Sequence, residues 1–262
     1  MDSFVGWVGG KRLLRKAICE HFPKEVAGAK GKTKAPFERY IEVFGGAAWV
    51  LFNKDKHAPF EVYNYANGEL VNLFRCIKAH PHEMSREIDL NLISRERFNF
   101  YKEQDPAHLT DIQRAARFMY MIKYSFCANI KTFGANNHLL PTLEFMEQVA
   151  ERLARVIIEN KSYERVIKQY DRPSSLFYLD PPYFNTETFY NVNEALFTAD
   201  DHEKLRDILA SIKGKFILSY NDDEFLKSLY KSFKIHEISR INNMTTCTGK
   251  AKEFKELIIT NY

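Results

Sequence analysis

From residue 156 to the end, short apolar runs alternate with amphipathic stretches: VIIEN, SYERVIKQY, SLFYLD, DDHEKLRDILASI, KFILSY, DDEFLKSLY, KIHEIS and KELIIT. The apolar runs, rich in Val, Ile, Phe and Tyr, read as buried strands and most of the segments between them as helices. One helix is well marked. Thr198 and Asp201 have capping-box spacing, and Leu205, Ile208, Leu209 and Ile212 then recur at helical intervals. Strands separated by helices are joined by crossovers, so they run parallel, and a parallel sheet must be covered on both faces. The predicted class is α/β, a mostly parallel sheet with helices on both faces.

The amino-terminal part begins the same pattern. FERYIEVF (37–44) reads as a strand that runs into Gly45, Gly46 and Ala47, with WVLFNK helical after the turn. EVYNY (61–65) is a second strand, followed by the helical GELVNLFRCIKA, in which Leu70, Leu73, Phe74 and Ile77 share a face. GAKGKTKAP (28–36) reads as a loop. Strand signals then vanish, and SRERFNFYKEQ, DIQRAARFMYMIKYSF and PTLEFMEQVAERLARV follow as helices. Residues 81–153 are accordingly expected to form an inserted helical subdomain, with 1–80 and 154–262 building the sheet domain.

Between Asp111 and Glu144 there is no acidic side chain, whereas Arg114, Arg117, Lys123 and Lys131 fall there among Phe118, Tyr120, Tyr124, Phe126 and Phe133. Basic residues interleaved with aromatics suit a polyanion; they equally suit a helix with a solvated basic edge. The cysteines Cys19, Cys76, Cys127 and Cys247 form no C-x-x-C pair, so neither a zinc site nor a disulfide framework is indicated. No apolar run is long enough to cross a membrane, and MDSFVGWVGGKRLL lacks a secretory apolar stretch. A cytoplasmic protein without metal or membrane partner is expected.

In open α/β sheets ligands settle outside the carboxyl ends of the strands. Three unusual stretches fall at such ends or beside them. The turn from Phe44 to Ala47 lets the backbone approach a ligand, although it departs from the G-x-G-x-x-G dinucleotide pattern. A helix following that turn would offer free N–H groups to an anionic ligand end. Gly9-Gly10-Lys11 has two glycines before a lysine, but Arg12 stands where a phosphate loop needs Ser or Thr, which argues against an ATPase. The third is SLFYLDPPYF (175–184). Proline fixes φ and has no N–H, so Pro181 and Pro182 take the chain out of the sheet on a stiff, extended path directly after Asp180. The Asp180 carboxylate and the Pro181 carbonyl then form a fixed pair of acceptors suited to an –NH2 group, and Tyr183 offers a flat face to a base.

These residues resemble the Dam-type, D12 class DNA adenine-N6 methyltransferases, of the alpha group of amino-methyltransferases. The resemblance runs in order over most of the chain. It comprises W-x-G-G-K (Trp7 to Lys11), Y-x-E-x-F-x-G (Tyr40 to Gly46), YN-x-x-N-x-x-L (Tyr63 to Leu70), DPPY (Asp180 to Tyr183) and the closing LIITNY. It implies a Rossmann-like, class I methyltransferase fold whose helical block is the target-recognition subdomain. It further implies a cytoplasmic enzyme, bacterial or phage-encoded, that moves a methyl group from S-adenosyl-L-methionine to a flipped adenine in double-stranded DNA. Carried over, Trp7, Gly9, Gly10, Lys11, Glu42, Phe44, Gly45, Gly46, Ala47, Asn64, Tyr65 and Asp180 would meet the cofactor. Asp180, Pro181, Pro182 and Tyr183 would hold the adenine. Arg117, Lys123, Lys131 and Asn136 are the candidate DNA contacts, with the segment around Asn242, Asn243, Lys250 and Lys252 as a second candidate.

One departure matters. After Asn64 the family pattern has an aspartate for the cofactor's ribose hydroxyls, and this chain has Tyr65. Loss of a charge-assisted pair would weaken cofactor binding by about ten- to hundredfold. Ala48, where relatives place a further glycine, is a smaller departure. Two other readings stay open: a DNA-binding homologue with impaired catalysis, and an amino-methyltransferase acting on cytosine N4 or on RNA.

Overall fold

The computed structural model describes residues 1–24, 26–27, 33–134, 138–184, 197–241 and 253–262. Its centre is a seven-stranded sheet built from β3 (Arg39–Glu42), β4 (Phe60–Asn64), β5 (Val156–Glu159), β6 (Ser175–Leu179), β7 (Lys215–Asn221), β8 (Lys234–Ile241) and β9 (Glu253–Thr260), in the order β5-β4-β3-β6-β7-β9-β8. The first five run parallel, while β9 is antiparallel to both β7 and β8. A separate two-stranded ladder, β1 (Val26–Ala27) with β2 (Thr33–Lys34), occupies part of the stretch expected to be loop.

Successive residues of each strand face opposite layers, the period-two consequence of the pleat. Tyr40, Tyr63, Leu176, Tyr178 and Ile217 point to one side; Ile41, Val62, Phe177, Leu179 and Phe216 point to the other. Every residue of β6 is buried, as expected of a central strand covered on both faces. The second face is covered by α7 (Tyr163–Tyr170), α8 (Ala199–Ser211) and α9 (Glu224–Leu229). The first face carries α1 (Arg15–Glu20), α2 (Gly68–Ala79), α3 (Pro81–Asp89), α5 (Asp111–Tyr124) and α6 (Leu143–Leu153), with α4 (Arg95–Glu103) packed against α5.

The helices start where local chemistry lets them. Asn67, Ser94 and Thr142 each accept a backbone N–H as N-caps, and full capping boxes open α5 (Thr110 with Gln113) and α8 (Thr198 with Asp201). Each cap contributes about 1 kcal/mol. The stretch between α2 and β5 does not have a core wholly of its own. Met84, Phe118, Met119, Ile122, Met146 and Leu153 belong to the same buried cluster as Tyr40 and Leu176, and only Phe98, Tyr120, Met121 and Tyr124 form a separate small one. Arg152 of α6 reinforces the junction. Its Nη1 and Nη2 donate to Glu61 Oε2 (2.8 Å) and Oε1 (3.0 Å) on β4, and it also reaches the Leu51 and Lys54 carbonyls. Removing one member of such a buried pair costs about 3–5 kcal/mol.

Candidate active site

Strand β3 is flanked by β4 on one side and β6 on the other, so the chain order reverses between β3 and β6. Strand ends part at such a reversal, and a crevice forms there. A cavity of about 350 Å³ opens at this point, lined by Trp7 to Lys11, Glu42 to Ala47, Asn64 to Asn67, Lys161 to Glu164, Tyr178, Asp180, Pro182 and Phe197, among others. The three stretches singled out in the sequence therefore meet in one place.

On the β3 and β4 side the wall is made of backbone and neutral groups. Gly45 N donates to Asn64 O (2.8 Å), and a Cβ on Gly45 would lie 2.3 Å from the Tyr63 ring, so no larger residue fits. Gly46 adopts φ 48°, with Tyr63 Oη donating to its carbonyl at 2.7 Å. Ala48 also has positive φ, 55°, a conformation that strains any residue with a Cβ and explains why glycine suits the position. The helix expected over WVLFNK is absent: only a 3₁₀ turn at Leu51–Asn53 forms, and the backbone is already extended at Lys54 (φ −133°, ψ 155°), so no α-helix N-terminus stands directly behind the glycines. Asn64 is spent as a cross-link. Its amide donates to the Val43 and Lys161 carbonyls, and its Oδ1 accepts from Lys161 N. Trp7 Nε1 donates to Tyr65 Oη at 2.9 Å, with the two rings edge to face.

Glu42 is almost fully buried, at 1% exposure, and Tyr40 Oη donates to its Oε2 at 2.8 Å. Burial is the main cause that pushes its pKa up to about 8, with Asp180 adding repulsion against the opposing bonds from Tyr40 and the Leu51 backbone.

On the β6 side the strand ends at Leu179, as DPPY dictates. Lys11, only 6% exposed, places Nζ 2.8 Å from Asp180 Oδ1, 3.1 Å from the Gly9 carbonyl and 4.4 Å from the centroid of the Tyr183 ring. Gly9 takes φ 77° and Gly10 N closes the turn onto Trp7 O. Ser219 Oγ donates to the same Asp180 Oδ1 at 2.9 Å. Burial raises the Asp180 pKa above the usual carboxylate value, while Lys11 and Ser219 oppose it. Pro181 is buried and Pro182 borders the cavity. Tyr183 donates its hydroxyl to Glu256 Oε2 (2.8 Å), a carboxylate buried on β9. Ser219 and Glu256 belong to no motif noted in the sequence. Their signal was a polar residue inside a buried strand, in KFILSY and KELIIT, where burial requires a partner.

The candidate DNA contacts separate. Lys131 is exposed on a turn held by Ser125 and Asn129: Ser125 Oγ accepts from Ile130 N, and Asn129 Oδ1 accepts from Lys131 N and Thr132 N. Phe126, 62% exposed, turns its ring outward from the same loop. Lys123 is half-buried, and burial lowers its pKa. Arg117 departs from the expectation of a solvated cation. It is buried at 8% exposure, with Nε donating to the Tyr101 carbonyl at 2.6 Å, so its guanidinium is committed within the helical layer. Asn136 and the segment 242–252 lie outside the described residues. Among the described residues no group of three or more His, Cys, Asp or Glu converges as metal ligands, and no helix is long and apolar enough to cross a membrane.

A mostly parallel sheet with an antiparallel strand β9 inserted before its edge, a glycine turn at the switch point and a carboxylate-proline stop beside it define an α/β group-transfer enzyme of the class I methyltransferase type. Residues 7–244 match the family model of the D12 class N6 adenine-specific DNA methyltransferases, and the chain belongs to that family. It is 26% identical to the Type II methyltransferase M1.LlaDCHI of Lactococcus lactis subsp. cremoris, over 100% of this chain and 96% of that protein. It is 25% identical to the Retron Ec67 DNA adenine methylase of Escherichia coli, over 98% and 90%. It is 26% identical to the Type II methyltransferase M.MjaIII of Methanocaldococcus jannaschii, over 100% of this chain and 99% of that protein. The chain is thus a DNA adenine methyltransferase by family, and a methyl donor and a DNA substrate follow from that membership.

Proposed function

We propose that this chain transfers a methyl group from S-adenosyl-L-methionine to N6 of an adenine turned out of double-stranded DNA. The observation that carries the reading is Asp180. It lines the cavity at the switch point with Oδ1 held by two donors, while Oδ2 makes no hydrogen bond among the described residues.

The lining suits the donor. Its volume falls in the range of small-molecule sites. Asp180 faces a cationic group favourably, and Trp7, Tyr65 and Phe44 supply flat apolar surface. Lys11 and Lys161 both line the cavity as cations for a carboxylate end. Trp7, Gly9, Gly10, Lys11, Glu42, the turn from Phe44 to Ala47, Asn64 and Tyr65 would hold the cofactor, which when bound supplies an electrophilic methyl group on a cationic sulfur.

The amino nitrogen of adenine is a poor nucleophile because its lone pair is delocalised into the ring. Asp180 and the Pro181 carbonyl, by accepting its two hydrogens, favour the pyramidal form in which the lone pair is free. They also stabilise the positive charge that develops on that nitrogen, Asp180 being already held by Lys11 and Ser219. Holding nucleophile and methyl in line supplies much of the remaining acceleration. Turning the base out costs a few kcal/mol, partly offset by stacking on Tyr183, whose ring is fixed by Glu256. The helical stretch 81–153 is assigned to target recognition, with Lys131, and Lys123 beside it, as phosphate contacts that lend sequence-independent affinity. The Type II names of two relatives place a restriction-modification role among the candidates.

The test is to incubate the purified protein with unmethylated duplex DNA and labelled S-adenosylmethionine, then identify the modified nucleoside by mass. N6-methyladenine supports the proposal, and N4-methylcytosine, or methylation of RNA in a parallel reaction, transfers it to another acceptor. The Tyr65 hydroxyl in place of a charged ribose partner motivates a second reading, a DNA-binding homologue with impaired catalysis. Cofactor titration by calorimetry separates the two: micromolar binding supports the enzyme, and no binding at millimolar cofactor supports the impaired homologue.

A further inference from the structure

The partner that fixes Asp180 comes from a strand outside the DPPY motif. Ser219 lies on β7, next to β6 in the sheet, and is fully buried. Its Oγ lies 2.9 Å from Asp180 Oδ1, 3.3 Å from the Leu179 carbonyl and 3.2 Å from Tyr178 Oη. A hydroxyl has one proton to donate. The nearer acceptor is also the charged one, and charge-assisted bonds are roughly twice as strong as neutral ones, so the proton is committed to Asp180. Tyr178 then donates to Ser219 Oγ, which gives a relay from Tyr178 through Ser219 to Asp180 Oδ1.

Lys11 reaches that same oxygen. Two donors therefore meet on Oδ1, whereas Oδ2 has none among the described residues. Lys11 alone would be a weak guide: a point charge on a flexible four-carbon stem leaves the carboxylate free to turn and present either oxygen. The serine hydroxyl, carried on a central strand, is the rigid member of the pair.

We infer that Ser219 is a positioning residue for methyl transfer, which holds Oδ1 of Asp180 toward the protein and thereby presents Oδ2 to the target amine. The inference rests on the proposed role of Asp180 as amine acceptor. Among the described residues, the ionisable and charged groups that face Asp180 include Lys11 from the amino-terminal segment, Glu42 from β3, Tyr178 from β6, Tyr183 beyond it, Tyr220 from β7 and Glu256 from β9. With all of these left in place, loss of the serine donor removes one bond to the charged form, so Asp180 should titrate at higher pH.

Two measurements on Ser219→Ala test this. Single-turnover methylation is expected to slow by about ten- to hundredfold, with S-adenosylmethionine affinity unchanged, and its acid limb should move to higher pH. Carboxyl-carbon NMR of labelled aspartate, with Asp180→Asn to assign the signal, should show the same upward move of the Asp180 titration. Unchanged rate and unchanged titration in a folded Ser219→Ala protein would overturn the inference. Should the alanine variant fail to fold, Ser219→Cys retains the volume and weakens the donor, and the same two readouts apply. If the unaltered protein methylates no nucleic acid, the functional proposal fails, while the carboxyl titration still decides whether Ser219 governs Asp180.

Discussion

The two walls of the cleft are built on different principles. The β6, β7 and β9 wall holds its working groups with charged and buried hydrogen-bonded pairs: Lys11 and Ser219 on Asp180, and Glu256 on Tyr183. The β3 and β4 wall relies on backbone shape, with Gly45 pressed against Tyr63, Asn64 tying neighbouring segments together, and a neutral indole-to-phenol bond between Trp7 and Tyr65. Its one acid, Glu42, has hydroxyl and amide donors instead of a cation. The difference teaches where charge is needed. Under the proposed function, a wall that grips an amine through one carboxylate and one carbonyl needs both held in place, and a buried charge stays fixed only when paired. A wall that cradles a larger molecule can be set by sterics.

The contrast is broken most directly at Asp180. Asp180→Ala is expected to lower turnover by about 10²–10³-fold, measured in single turnovers at saturating cofactor on protein shown to be folded; retained turnover would show that the paired wall is not where the amine is held. On the other wall, Tyr65→Asp introduces the charge that side lacks and should tighten S-adenosylmethionine about ten- to hundredfold by calorimetry. Unaltered or weaker binding would show that shape alone suffices there.

Glu42 offers a pH test of the same contrast. Its pKa of about 8 in the fold lies above the ordinary glutamate value of 4.5. Between those values the folded protein keeps a proton that the unfolded chain has lost, so this group favours folding fully below about pH 4.5 and progressively less as pH rises toward 8. Glu42→Gln should thus stabilise little at pH 5 and by about 1–3 kcal/mol at pH 8, measured by denaturant unfolding at both pH values. An equal effect at both would mean that Glu42 is ionised throughout. The smallest effect is expected far from both walls. Lys131→Ala should weaken DNA binding about evenly across sequences and reduce the slope of log K against log salt by about 0.9. An unchanged slope would remove Lys131 from the phosphate contacts.

Much of the site was legible because its signals are local. The stop at Asp180-Pro181-Pro182 needs only the proline ring to be read, and the strand does end at Leu179. The capping box of α8 is equally self-contained. Where the reading failed, packing overrode a local preference. WVLFNK reads as helical, yet only Leu51–Asn53 closes a 3₁₀ turn before the chain extends at Lys54, with Val50, Leu51 and Phe52 buried in the core. Arg117 looked like part of a basic edge until α5 was seen to turn it inward onto the Tyr101 carbonyl.

From its order of residues alone the chain settled where its strands stop, which turn demands glycine and which carboxylate stands at the sheet rim, because these depend on backbone freedom within a few neighbours. Which oxygen of Asp180 is held, and which has no partner among the described residues, was decided only by folding. Lys11 and Ser219 are distant from Asp180 along the chain, and only strand pairing and the return of the amino-terminal segment bring their donors to one atom.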